Sequence, residues 1–99
     1  MNSPSLPRLS RKEYLILELL IGQGQMYGLE MVKREPALKR GTVYVTLARM
    51  ADKGYVTSRT IDDDGSPGLP KRVFQTTGHG ERVFRALSLA SASLAGGMA

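Results

Sequence analysis

The chain has 99 residues, with 14 Lys and Arg against 9 Asp and Glu for a net charge of +5, an apolar fraction of 41% and no cysteine. This length fits one small domain, and the lack of cysteine excludes disulfide staples, thiolate metal sites and thiol nucleophiles. Apolar runs such as residues 19–21 fall far short of the about 20 residues of a membrane span, and residues 1–8 lack the apolar stretch of a signal peptide, so a cytoplasmic protein is expected.

In chain order, Ser10 with Glu13 three residues later is a capping box, flanked by Leu9 and Tyr14 as a hydrophobic staple. Leu15, Ile16, Leu19 and Leu20 recur at helical spacing and Gly22 and Gly24 supply a stop, which predicts a helix over about 10–22. A second helix is predicted over 26–34, with Leu29, Val32 and Met26 toward the core, ended by Pro36. A third begins at Thr42 as cap, carries Val43, Leu47, Met50 and Ala51 as an apolar stripe, and closes at Gly54 in a left-handed conformation.

Beyond Gly54 the pattern becomes extended. Residues 55–61 and 73–77 are rich in β-branched and aromatic side chains, and the turn formers of 62–70 join them into a hairpin. Thr77 is the predicted cap of a last helix in which Val83, Phe84, Leu87, Ala90 and Leu94 repeat at three- and four-residue steps.

Three short helices, a hairpin and a closing helix form the winged helix-turn-helix plan, an α+β fold that is mainly α. Residues 1–8 are expected as a flexible tail, 9–77 as the winged helix-turn-helix unit, 78–95 as a dimerisation helix with a two-stranded wing before it, and 96–99 as a frayed end.

The charge is unevenly placed. Three of the acids stand together at Asp62, Asp63 and Asp64, while the cations fall in groups: Arg8, Arg11 and Lys12; Lys33 and Arg34; Lys39 and Arg40; Lys71 and Arg72; Arg82 and Arg85. A solvated surface and a face for a polyanion both fit this list, and only the fold can separate them.

Three stretches then carry a resemblance. Residues 41–56 read GTVYVTLARMADKGYV, residues 26–31 read MYGLEM and residues 71–80 read KRVFQTTGHG. In this order they resemble the PadR-like family of bacterial transcriptional regulators, over roughly residues 9–87. Val45 stands where many members carry Pro, Phe74 where they carry Tyr and Thr76 where they carry Leu; the three-Asp wing tip is unusually acidic. The resemblance implies a DNA-binding repressor, working as a homodimer on an inverted repeat and relieved by a ligand or partner. Some short members bind flat aromatic ligands between subunits, yet this chain has no Trp and two Phe, so a small-molecule effector is unproven.

On a helical wheel Val43, Leu47 and Met50 face one way and Thr42, Val45, Thr46, Arg49, Asp52 and Lys53 the other. The N-terminal half of a recognition helix meets base edges, where Arg49 could take a guanine O6/N7 pair and Val45 a thymine methyl; a phosphate contact or a plain surface arginine also fits. By resemblance Tyr44 is half-buried with its hydroxyl toward a phosphate, and a core tyrosine fits nearly as well. Lys39 and Arg40 before the third helix, Arg59, Lys71 and Arg72 on the wing, and Tyr27 at the start of the second helix are expected as backbone contacts.

Dimerisation is expected through Val83, Phe84, Leu87, Ala90 and Leu94 against Leu15 and Leu19 of the partner. No catalytic constellation, cofactor motif or metal-ligand spacing is found: His79 stands alone, and the consecutive acids of the wing tip lack the alternation of a calcium loop. The alternative function is a winged-helix protein-interaction module whose basic surface meets an acidic partner instead of double-stranded DNA.

Overall fold

The computed structural model describes residues 8–61 and 71–97, with side chains described through residue 90. The wing tip, with Asp62, Asp63 and Asp64, and the side chain of Leu94 therefore lie outside the described residues. The element order is α1 (Arg11–Gln23), β1 (Met26–Tyr27), α2 (Gly28–Arg34), α3 (Arg40–Asp52), β2 (Val56–Ile61), β3 (Lys71–Thr76) and α4 (Gly78–Gly97).

The first helix starts where the capping box places it. Ser10 Oγ accepts the Glu13 N–H at 3.1 Å and Glu13 Oε1 accepts the Ser10 N–H at 2.9 Å. At the other end Gly24, at φ 93°, donates its N–H to the Leu20 carbonyl, a left-handed conformation that a side chain would disfavour. Leu15, Ile16, Leu17 and Leu20 are all buried, so α1 is wrapped by the rest of the fold on more than one side.

Residues 26 and 27 depart from the sequence expectation. They form a strand, not the first turn of α2, and make the sheet three-stranded in the order β1-β3-β2, with Met26 opposite Phe74 and Tyr27 opposite Val73. Two residues are too few to display a period of two, and the strand exists only because β3 supplies its hydrogen-bond partners. Entering from the sheet also sets the rotation of α2: Gly28 and Met31 face inward, while Leu29, expected in the core, is 39% exposed. Glu30 accepts the Tyr27 N–H at 2.7 Å, and Glu35, extended before Pro36, ends the helix.

The third helix begins three residues earlier than expected. Lys39 is its N-cap, and Thr42, expected as the cap, lies in the first turn with its hydroxyl donating to the Lys39 carbonyl at 3.4 Å. The cause is Leu38, which is buried and draws the chain into the core just before the helix. Val43, Leu47 and Met50 are buried as the wheel predicts, whereas Ala51 is exposed at the edge of that stripe. Gly54, at φ 81°, closes the element.

Val56, Phe74 and Val83 join Met26, Met31 and the α1 and α3 residues in one core. The Thr77 hydroxyl caps α4 by accepting the Gly80 N–H at 2.9 Å and donates to the Gly54 carbonyl. Gly80 is buried against the Tyr55 backbone, where a Cβ would land on the Tyr55 carbonyl oxygen.

One buried acid links the ends of two helices. Glu13 Oε2 lies 2.9 Å from Lys53 Nζ, tying the first turn of α1 to the end of α3. Burial alone pushes the Glu13 carboxyl up, but the Ser10 N–H and Lys53 outweigh it and hold the group below its ordinary value of 4.5.

Two predictions follow from these contacts. Glu13→Gln lowers stability near pH 7 by about 1 kcal/mol in denaturant unfolding. Because the native carboxyl titrates below 4.5, its contribution is complete above that pH and is lost as the pH falls through the lower native value, so variant and parent converge in stronger acid. Gly80→Ala costs about 2 kcal/mol or more, since the obstacle is backbone that cannot swing aside.

Candidate nucleic-acid interface

The outward face of α3 presents Arg40, Thr42, Tyr44, Val45 and Arg49 exposed, with Thr46 half-buried between them. Tyr44 and Val45 are 47% and 52% exposed, large values for side chains of their apolar content. The Tyr44 ring lies over Gly28, close enough that a Cβ there would collide with it, so α3 packs on α2 through a missing side chain. It is neither a core tyrosine nor a fully free one.

Hydrogen bonding on this face is partly committed. The Thr46 hydroxyl donates to the Thr42 carbonyl at 3.0 Å and the Thr42 hydroxyl to the Lys39 carbonyl. With their protons used inside the helix, both oxygens keep lone pairs to accept from an outside donor such as an exocyclic amine. Arg49, Arg40 and Lys39 make no ion pair with any described residue.

The electrostatics of the helix start are unusual. No acid stands in the first turn of α3, while Lys39 and Arg40 sit at its positive dipole end, where cations are disfavoured. An anion at this position would relieve both the dipole and the paired cations.

The wing divides the expected basic contacts between two faces. Residues directly opposite in an antiparallel pair share a face. Thr60 opposite Arg72 and Ser58 opposite Phe74 therefore look toward α3, and Arg72, Ser58 and Thr60 line a groove with Tyr44, Ala48 and Ala51. Arg59 opposite Val73 and Ile61 opposite Lys71 look the other way. On that reverse face Arg59 donates to Gln25 Oε1 at 3.1 Å, and Lys71 Nζ lies 5.6 Å from the centroid of the Tyr27 ring. Tyr27, Arg59 and Lys71 thus form one cluster, and Arg72 belongs with α3 in another.

The residues expected at a subunit contact also separate. Val83 and Leu15 are buried within the chain and have little surface left for a partner. Leu19, Phe84, Leu87 and Ala90 are half-buried, and Phe84 stacks on Tyr14 with centroids 4.8 Å apart. The Tyr14 hydroxyl bonds Ser88 Oγ at 2.9 Å, joining α1 to α4 within the chain. Leu89, outside the predicted stripe, is 63% exposed.

Residues from α1 that were not expected here border the α3 face. Ser10, Lys12 and Glu13 line a cleft with Thr42, Val45, Thr46, Arg49 and Lys53. Lys12 belongs to the first basic group in the sequence, but only the packing of α1 beside α3 brings it to this face. Among the described residues no three His, Cys, Asp or Glu side chains meet to hold a metal, and no helix is long and apolar enough to cross a membrane. His79 is exposed and packs on the Tyr55 ring, with centroids 5.3 Å apart.

Comparison with known proteins decides the family. The family model of PadR-like transcriptional regulators matches residues 16–86. The chain belongs to this family. As a PadR-like protein it is a transcription regulator and not an enzyme. No curated protein matches it. Among solved structures it is similar to a PadR-like transcription factor from Bacteroides fragilis, with 22% identity, a TM-score of 0.76 and coverage of 89% of each chain.

It is also similar to a PadR family regulator from Eggerthella lenta, at 27% identity and a TM-score of 0.70, covering 87% of this chain and 76% of that one. PadR of Bacillus subtilis, solved in complex with operator DNA, shares 24% identity at a TM-score of 0.69; the match covers 81% of this chain and 48% of that chain. These likenesses are of fold, and they establish the winged helix.

The outward and inward faces of α3 make separable predictions. Arg49→Ala shifts stability by less than about 0.5 kcal/mol, because the side chain is exposed and unpaired among the described residues. Leu47→Ala, two residues earlier on the buried side, costs about 2–5 kcal/mol in the same unfolding experiment.

Proposed function

We propose that this PadR-like regulator is a sequence-specific binder of double-stranded DNA that represses transcription as a homodimer on an inverted-repeat operator. The observation that carries the reading is the outward face of α3. It presents acceptor hydroxyls on Thr42 and Thr46, an apolar Val45 and an Arg49 unpaired among the described residues, with Lys39 and Arg40 gathered at the helix start and no acid in its first turn. This pattern suits base edges flanked by phosphates. The operator complex of the Bacillus subtilis relative supports it.

Arg72 and Tyr44 reach the backbone beside α3, and Tyr27, Arg59 and Lys71 form a second set of backbone contacts on the reverse face of the wing. Residues 9–77 are the DNA-binding unit, and residues 78–95 supply the dimer contact. Leu19, Phe84, Leu87 and Ala90 keep part of their apolar surface exposed, and Leu89 most of its own, along α1 and α4. A partner copy covering that surface would stabilise a domain too small to bury a large core.

Binding measured by fluorescence anisotropy on random duplex DNA tests the reading. A dimer that neutralises about six phosphates gives a log–log salt slope of about −5. On an operator selected from genomic fragments, Arg49→Ala loses about 1–3 kcal/mol of discrimination, with little change on random sequence. Light scattering at micromolar concentration is expected to give twice the chain mass of 10.8 kDa. Absence of binding at low salt overturns the DNA reading, and a mass that stays at that of one chain overturns the dimer.

A further inference from the structure

The cleft between the first turn of α1 and the outward face of α3 is lined on the α1 side by Ser10, Lys12 and Glu13 and on the α3 side by Thr46, Arg49 and Lys53 among others. Two lysines face it, in different electrostatic positions. Lys53 is held 2.9 Å from the buried Glu13 carboxylate, whose other oxygen takes the Ser10 N–H. The Lys53 ammonium keeps donors to spare, but its charge is balanced by that carboxylate, so a phosphate beside it meets no net cation.

Lys12 is placed differently. It is half-buried along the cleft wall and has no ionic partner among the described residues, so its full charge is available at the rim. Nothing in the packing of α1 needs that charge, because the neighbouring carboxylate is already neutralised by Lys53. The cleft therefore offers Arg49 and Lys12 as working cations and Lys53 as a silent one.

Resting on the DNA reading above, we propose that Lys12 grips a backbone phosphate beside the recognition helix, while Glu13 acts as a positioning residue that holds Lys53 and balances its charge, so that Lys53 neutralises no phosphate. The contact is to the phosphodiester chain and carries no sequence information. Its function is to fix the register of α3 in the groove from the α1 side. Glu13 in turn limits sequence-independent affinity, since every added phosphate contact strengthens binding to all DNA alike.

The test is the salt dependence of binding to random duplex and to a selected operator, with thermal melts to verify that each variant is folded. Lys12→Ala, and Lys12→Gln with the stem retained, flatten the log–log slope by about 0.9 per protomer. Per protomer, the loss of affinity between 50 and 200 mM salt is then about 3.5-fold smaller, on both duplexes, and the ratio between them is unchanged. Glu13→Gln steepens the slope by the same increment, because Lys53 is released. The double variant Glu13→Gln/Lys53→Gln, in which a neutral hydrogen-bonded pair replaces a neutral ion pair, keeps the parental slope.

A parental slope in both Lys12 variants, or a flattened one in the double variant, overturns the proposal while the DNA reading stands. No salt-dependent binding by the unmodified chain overturns the DNA reading itself.

Discussion

The Glu13 carboxylate bridges two helix ends that are 40 residues apart in the chain: it accepts the Ser10 N–H at the start of α1 and the Lys53 ammonium just past the end of α3. The angle at which α3 leaves the core is set by its buried stripe, Val43, Leu47 and Met50, and this bridge fixes its far end. A buried carboxylate tolerates little displacement of its partners, because each one lost exposes an unpaired charge. The outward face of α3 is thus held by a contact at its edge as well as by the packing beneath it.

The same geometry orders the charge of the molecule. In composition alone a surplus of five cations is a statement about solubility as much as about DNA. Once α1, α3 and the sheet are packed, Lys12 and Arg49 border one cleft, Lys39 and Arg40 stand at the start of α3, Arg72 faces α3 across the groove, and Arg59 and Lys71 gather with Tyr27 behind the wing. Lys53 is on the same side as Lys12 but is cancelled by Glu13. A net charge therefore overstates what a ligand would meet, and the pairing pattern gives the effective count.

Much of this architecture is legible in the residues because it depends on short-range rules. The Ser10 and Glu13 capping box, the left-handed Gly24 and Gly54, the Thr77 cap and the stripe of Val43, Leu47 and Met50 need only a few neighbours in sequence to be specified. The failures share one cause as well. β1 is two residues long and exists through β3, the rotation of α2 follows from β1, and the early start of α3 follows from the burial of Leu38. Each is a local conformation chosen by a distant partner.

The candidate site divides along the same line. The sequence by itself determined which side chains of α3 point outward, because a helical period fixes that whatever the helix packs on, and its motifs were specific enough to indicate the PadR-like family. Only the tertiary structure decided which other elements border that face: Lys12 arrives from α1, Arg72 from the near side of the wing, and Arg59 and Lys71 are carried to the far side by the strict alternation of β2 and β3. Likewise Val83 and Leu15 follow the apolar pattern of a subunit contact yet are buried in the chain's own interior. Apolar periodicity states that a face will be covered, and packing alone states by what.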